Sequence, residues 1–168
     1  MNHSDAVDDI VAQWNRELPD LTTDAMGTIG RLHRVSRLVV SAHLEEIFRL
    51  HGLGRTEFDV AASLYRSGEP YTLSPKQIGS TLMLTSGGLT GRLDKLERSG
   101  LIERLPDPDD RRALRVRLTE KGRQAVEGAV RDEVEYLDEV LSPLDDAERR
   151  ELDRLLRKLH RSDRPSSI

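Results

Sequence analysis

Apolar residues recur at helical spacing near the N-terminus and again further along the chain. Ile10, Trp14 and Leu18 fall on one helix face, so the pattern predicts a first helix over 5–17. A second apolar stripe runs through residues 24–51. A helix of that length is too long for a small domain to bury by itself, so we expect a second copy of the chain to cover it.

The middle of the chain carries the start and stop signals of shorter elements. Residues 74–77 read Ser-Pro-Lys-Gln, which combines an N-cap residue, a proline at the first helical position and a capping-box glutamine. Thr85 opens another short helix, and strand-like runs at 101–105 and 114–118 flank a polar turn. Thr119 then begins a long helix. This order predicts a helix-turn-helix followed by a β-wing, which is a device for reading DNA.

The predicted fold class is therefore mainly α with a small β-wing. We expect one winged helix-turn-helix domain over 1–168, with terminal helices that form a dimerisation region. Its parts are an extra N-terminal helix at 5–17, a DNA-binding winged helix-turn-helix at 55–118, and dimerisation helices at 24–51 and 119–162.

Charge is distributed unevenly along the chain. The net charge of −4 argues against a broadly basic coat for nucleic acid. However, residues 85–118 contain 8 basic and 6 acidic residues, whereas residues from 119 onward contain 10 basic and 13 acidic residues. A basic DNA-binding face on an acidic body fits this distribution.

Composition excludes several other classes of function. The chain has no cysteine, so disulfides and thiolate metal sites are excluded. The five histidines fall in no metal-binding spacing, and no phosphate-binding glycine loop follows a strand, so we expect no enzyme, no metal and no cofactor. No signal-peptide pattern or membrane-spanning apolar run is present, which favours a cytoplasmic protein without a membrane partner. Besides a DNA-binding regulator and an enzyme, a helical protein-interaction module with an incidental winged fold is the third possible class of function.

Small and polar residues occupy the start of the helix that begins near Thr85. Such residues let the backbone approach phosphates and bases, and the free N–H groups of a helix start bind phosphate. The alternative is that the glycines only make a weak helix start. The candidate DNA-binding residues of this helix are Thr85, Ser86, Gly88 and Thr90.

The turn between the two strands adds Arg111 and Arg112 to the candidate DNA-binding residues. An arginine at a hairpin tip can enter the minor groove, and a solvated tip is the alternative. The segment Asp-Arg-Arg at 110–112, with Val-Arg-Leu-Thr at 116–119 and Gly122, resembles the wing of the MarR family. Residues 84–90 are similar to the start of that family's recognition helix.

The resemblance implies a homodimer that reads a pseudo-palindromic double-stranded DNA operator, usually as a repressor. It places Arg112 in the minor groove, and Ser86, Gly88 and Thr90 near bases or phosphates. The operator and the regulated genes stay open, as does the choice between repression and activation.

The resemblance also implies a small-molecule switch. Its candidate ligand-binding residues match, position by position, a sub-branch of the family that responds to urate and carries an extra N-terminal helix. We expect urate or a related purine-derived anion to pair with Arg92 and Arg104, since guanidinium groups bind carboxylate-like edges bidentately, and to repel Asp59. The alternative is a structural salt bridge between aspartate and arginine, a tethering tryptophan and no ligand, or a different aromatic anion. The candidates are Trp14, Asp59, Arg92 and Arg104.

One further position matches a urate-responsive member. His33 corresponds to a histidine at a dimer interface and suggests a proton-sensitive spot. A partly solvated helix histidine is the more ordinary interpretation, and the role of His33 stays open.

Overall fold

The computed structural model describes residues 4–83, 86–108, 110 and 113–160. The chain divides into two compact units, Met1–Glu133 and Val134–Ile168. The fold class expected from the sequence is confirmed, because the described chain is mainly helical and carries one small antiparallel sheet. The helices are α1 (Ala6–Glu17), α2 (Asp24–Arg34), a π-helical segment (Val35–Ser41), α3 (Ala42–Leu50), α4 (Arg55–Arg66), α5 (Pro75–Leu82), α6 (Ser86–Arg98), α7 (Glu120–Leu141) and α8 (Asp146–His160). The strands are β1 (Thr72–Leu73), β2 (Ile102–Pro106) and β3 (Leu114–Leu118).

Helix α1 is capped and then tied to α2. The Asp5 carboxylate accepts from the Val7 and Asp8 amides at 2.8 and 3.0 Å and caps the helix. Arg31 on α2 donates from Nε to Asp5 at 2.8 Å and also pairs with Asp8. Val7 is buried over Gly30, where an added Cβ would lie 3.2 Å from the valine Cγ1. The glycine therefore allows the two helices to approach closely.

The apolar stripe at 24–51 is helical throughout, but it is not one regular α-helix. Residues Val35–Ser41 form π-helical turns between α2 and α3, and the backbone stays right-handed at both junctions. Valine and serine dominate that segment, and both are weaker helix formers than leucine or alanine. His33 lies exposed in the last turn of α2.

The core of the winged helix-turn-helix contains one aromatic pair surrounded by aliphatic side chains. Phe48 at the end of α3 stacks on Phe58 of α4, with ring centroids 3.9 Å apart. Burial of this kind supplies most of the folding free energy. The other fully buried large residues come from each surrounding element, and they are Val60, Leu64, Ile78, Leu96, Ile102, Val116 and Val126.

The sheet has one strand more than the sequence predicts. Strand β3 lies in the middle and pairs antiparallel with β1 and β2. The added strand β1 has only two residues, too few for an alternating pattern to be recognised. Strand β2 begins one residue later than the predicted 101–105, and β3 matches the predicted 114–118.

Helix α7 begins directly against the end of α6. The Thr119 hydroxyl accepts from the Gly122 amide at 3.0 Å and donates to the Gly100 carbonyl at 2.7 Å. A Cβ on Gly122 would lie 1.9 Å from the Leu101 carbonyl oxygen, so only glycine fits there.

The second unit contains the C-terminal part of α7 and all of α8. The Asp145 carboxylate accepts from the amides of Ala147 and Glu148 at 2.8 and 2.9 Å, and Glu148 accepts from the Asp145 amide at 2.9 Å. This capping box fixes the start of α8. One face of α8 is apolar and exposed, and it carries Leu152, Leu155, Leu156 and Leu159.

Substitution of Gly122 by alanine is expected to destabilise the protein by about 2 kcal/mol, because backbone must move to admit the methyl group. Urea unfolding monitored by circular dichroism measures the effect. Gly91→Ala is the matched control, since its added Cβ meets no atom within 4 Å and alanine favours helix. Equal stability of Gly122→Ala and the wild type would contradict the close approach.

The ion pairs of Arg31 predict a pH dependence for the docking of α1. Hydrogen bonds from the Arg31 side chain and from the Asp8 backbone lower the pKa of Asp5 from 3.8 to about 2. A carboxyl whose folded pKa is lowered adds stability above its unfolded pKa and loses it as pH falls through the folded value. The stability difference between wild type and Arg31→Gln should therefore be present above pH 3.8 and be lost as pH falls through about 2.

Fluorescence of Trp14, the one tryptophan of the chain, reports on α1 in that comparison. Denaturant unfolding of both proteins at a series of pH values gives the difference directly. A difference that persists unchanged at pH 2, or that is absent at neutral pH, would contradict the assignment of the tether to these carboxylates.

Candidate DNA-reading surface and effector residues

The first helix of the helix-turn-helix begins as the sequence predicts. The Ser74 hydroxyl accepts from the Gln77 amide at 3.2 Å, and the Gln77 side chain accepts from the Ser74 amide at 2.8 Å. The helix ends at Met83, which adopts a left-handed backbone with φ of 51° and is 93% exposed. Thr85, predicted to contact DNA, lies outside the described residues.

Helix α6 has one buried face and an open N-terminal half. Leu89, Leu93 and Leu96 are buried and form the face that packs against the core. Added Cβ atoms on Gly87 and Gly91 would meet no atom within 4 Å, so the backbone there is open to an approaching partner. The predicted DNA-binding residues Gly88 and Thr90 are exposed, and Ser86 opens the helix.

The C-terminal half of α6 is held to the wing by Arg104. This residue lies on β2, and its Nη2 contacts the Asp94 carboxylate at 2.6 Å while its Nη1 contacts Glu97 at 2.6 Å. Asp94 and Glu97 lie three residues apart on α6, so one guanidinium reaches both. The sequence shows that Asp94 and Glu97 share a helix face, but it does not show which residue of the wing forms ion pairs with them.

Ion pairs also brace the strands of the wing. Glu103 of β2 and Arg117 of β3 are direct cross-strand partners, and their side chains meet at 2.9 Å. Arg115 donates to Asp107 at 2.8 Å, just before the turn. The wing arginines Arg111 and Arg112, predicted to contact DNA, lie outside the described residues.

The four predicted effector residues lie on four different elements. Trp14 on α1 is 45% exposed, Asp59 is half-buried on α4, Arg92 is half-buried on α6, and Arg104 is on β2. Among residues 4–83, 86–108, 110 and 113–160, no ion pair joins Asp59 to Arg92. The salt bridge between Asp59 and Arg92 that the sequence left open is therefore not formed within these ranges, and Arg104 pairs with Asp94 and Glu97 of α6.

Asp59 has a different electrostatic neighbourhood from the one predicted. Burial raises the pKa of Glu133 on α7, Arg55 opposes the rise, and the negative charge of Asp59 adds to it. Two acids and one arginine thus influence one another between α4 and α7. This grouping was not predicted, because Glu133 is remote in sequence from Arg55 and Asp59 of α4.

Two cavities lie in this part of the protein, and only the first is lined by candidate residues. A cleft of about 820 Å³ lies among α5, α6 and the wing, and its lining includes Thr90, Asp94 and Arg104. A second cavity of about 660 Å³ lies between α4 and α7, and its lining includes Tyr65 and Glu133. Arg104 thus lines one cavity, whereas Glu133, whose pKa the charge of Asp59 helps to raise, lines the other.

Searches for a metal site and for a membrane span give negative results within the described ranges. No group of three metal-ligating side chains occurs there. No helix in that part of the chain has both the length and the apolar character needed to cross a membrane.

Comparison with known proteins places these features in a family. A family model described as MarR family matches residues 51–113. The chain is 41% identical over 155 residues to the HTH-type transcriptional regulator PecS of Dickeya dadantii, covering 92% of this chain and 93% of PecS.

Solved structures agree with that match. A mutant MarR from Escherichia coli complexed with operator DNA has a TM-score of 0.65 and 26% identity, with coverage of 93% of this chain and 99% of that one. A MarR family protein from Bacillus stearothermophilus has a TM-score of 0.67 and 25% identity, with coverage of 83% and 96%. The relatives are transcriptional regulators and not enzymes, in agreement with the sequence. With its winged helix-turn-helix and its likeness to PecS over nearly its whole length, this chain belongs to the MarR family of transcriptional regulators.

Proposed function

We propose that the chain is a homodimeric repressor that binds a pseudo-palindromic DNA operator and is released from it by urate or a related purine-derived anion. The observation that carries the DNA-binding part is the open N-terminal half of α6, whose glycines leave the backbone accessible while the leucine face is buried. The MarR complex with operator DNA supports the same partner for this chain.

Exposed apolar side chains support the dimer. In the first unit they recur along α1, α2 and the π-helical segment, and in the second unit along α8. Soluble proteins rarely leave such rows exposed unless a partner covers them. A second copy is the partner that the family resemblance implies. The residues concerned are Ile10, Trp14, Leu18, Met26, Ile29, Leu32, Val35, Leu38, Val39, Leu152, Leu155, Leu156 and Leu159.

Arg104 supports the anionic effector. Its guanidinium lines the cleft of about 820 Å³ together with Thr90 of α6, so an anion bound to it would contact the DNA-reading helix. Such an anion would compete with Asp94 and Glu97, which hold Arg104 at 2.6 Å. Weakening those pairs would loosen α6 from the wing and so lower operator affinity.

Trp14, Asp59 and Arg92 enter the proposal through the match to the urate-responsive sub-branch. The indole N–H of Trp14 is a hydrogen-bond donor, and Asp59 is an acid that an anion would repel. The proposed mechanism uses no metal and no cofactor; in it, the anion competes with carboxylates for arginine.

A second candidate function is a winged-helix regulator that responds to a different aromatic anion or to no small ligand. The observation that favours it is the complete engagement of Arg104 by two carboxylates. In that case the arginine serves to hold the wing against α6.

Urate titration separates the two functions. With coupling of about 1–3 kcal/mol, urate should weaken operator binding roughly 5- to 150-fold, as measured by fluorescence anisotropy of labelled DNA. Asp59→Asn and Trp14→Phe should lose the response and keep operator affinity. Xanthine and salicylate are the comparison ligands. If millimolar urate neither binds the free protein nor releases DNA, the urate proposal fails.

Leu155→Glu should dissociate the dimer, because a charge cannot be buried in an apolar interface without a large cost. Sedimentation velocity measures the mass, and operator affinity should fall with it. Arg150→Glu is the matched control, since it introduces the same side chain on the opposite face of α8. A Leu155→Glu protein that stays dimeric would remove α8 from the interface.

A further inference from the structure

Glu57 is a buried carboxylate that the proposed function does not use. It lies in the first turn of α4 and is 8% exposed. Its Oε2 contacts the Lys95 Nζ at 3.1 Å, and the lysine side chain is 61% exposed. A carboxylate so little exposed needs a compensating partner, and the ammonium of Lys95 provides it.

The position of the carboxylate depends on the start of α4. The helix begins at Arg55 with Gly54 as its cap. A Cβ on Gly54 would lie 2.0 Å from Oε2 of Glu57, so the glycine makes room for the folded-back side chain. The positive end of the helix dipole favours a negative group there.

Lys95 connects that buried group to the DNA-reading helix. It lies on α6 between Asp94 and Glu97, the two residues that Arg104 holds from β2. The C-terminal half of α6 is therefore tied on two sides, to α4 through Glu57 and to the wing through Arg104. Buried leucines hold a helix against a core with little directional preference, whereas paired charges on its flanks fix its rotation.

We propose that Glu57 is a positioning residue for DNA reading: it holds Lys95 and thereby sets the orientation in which α6 presents its open N-terminal half. The inference rests on the DNA-binding part of the proposed function. The inference does not require that a small-molecule effector exists.

Substitution of Glu57 by glutamine tests the proposal through the direction in which DNA affinity changes. The change removes one negative charge from a protein of net charge −4, so general electrostatics would tighten DNA binding. If Glu57 positions Lys95 and α6, its loss should instead weaken DNA binding by about tenfold. That figure is the lower end of what the loss of a charge-assisted hydrogen bond costs. The slope of log affinity against log salt should not change, since no phosphate contact is lost.

The probe is a duplex that the wild-type protein selects from a randomised pool, and the measurement is its affinity at a series of salt concentrations. Glu45→Gln is the matched control, because Glu45 is exposed, lines the same cavity as Lys95, and carries no ion pair within the described ranges. It removes the same charge and should bind at least as tightly as the wild type.

Variants of Lys95 keep the test valid if Glu57→Gln folds poorly. Lys95→Gln should weaken DNA binding to the same degree with the salt slope unchanged. Lys95→Arg should bind like the wild type, because it keeps a positive charge beside Glu57. Position 95 is exposed, so both variants should fold. If Lys95→Gln lowers the salt slope by about one and Glu57→Gln binds normally, then Lys95 contacts phosphate directly and the inference is overturned.

The two proposals fail in different ways. If the wild-type protein selects no duplex even at low salt, DNA reading fails, and the role of Glu57 fails with it. If the wild type selects a duplex and Glu57→Gln binds it as tightly as Glu45→Gln does, only the positioning role is overturned. Circular dichroism and urea unfolding confirm that each variant is folded at the temperature of the binding measurement.

Discussion

The contact between the end of α6 and the start of α7 constrains the rest of the DNA-reading unit. Gly122 lies so close to the Leu101 carbonyl oxygen that no side chain fits between them. The same carbonyl accepts from the Thr119 amide at 3.1 Å, and the Leu101 amide donates to Leu96 of α6 at 3.0 Å. The backbone around Leu101 therefore joins α6, strand β2 and the start of α7. Movement of α6 must pivot at this joint or break it.

That joint explains why the two halves of α6 differ. Near the joint, leucines are buried and acids and lysine are paired with the wing and with α4. Away from it, the glycines Gly87 and Gly91 have open space around them. Glycines weaken the helix but leave its backbone accessible, and the anchored half compensates for that loss. Rigidity and access are thus supplied by different halves of one helix.

The sequence predicted what local patterns encode. Capping at Ser74 and strand β3 follow from short-range signals, and each is present in the structure. It did not predict β1, which is two residues long, or the π-helical turns at Val35–Ser41, which a hydrophobic stripe does not distinguish from α-helix.

The candidate site was harder to predict, because its ion pairs join residues that are remote in sequence. Arg104 was identified as a candidate, but its partners Asp94 and Glu97 were not, since helix spacing shows which acids lie together and not what they face. Glu57 was missed for a related reason: only the backbone at Gly54 shows that a carboxylate folds back there.

The energies of these pairs limit how an effector can act. Arg104, Asp94 and Glu97 are all partly exposed, and pairs of that kind contribute about 0.2–1 kcal/mol each. Loss of both pairs therefore reaches only the lower part of the roughly 1–3 kcal/mol that allosteric coupling usually spans. A strong effector response requires more than competition at one guanidinium: the anion must turn α6 about its joint with α7. If the proposed effector acts in this way, residues that fix the rotation of α6, such as Glu57 in our proposal, oppose the effector as well as support DNA binding.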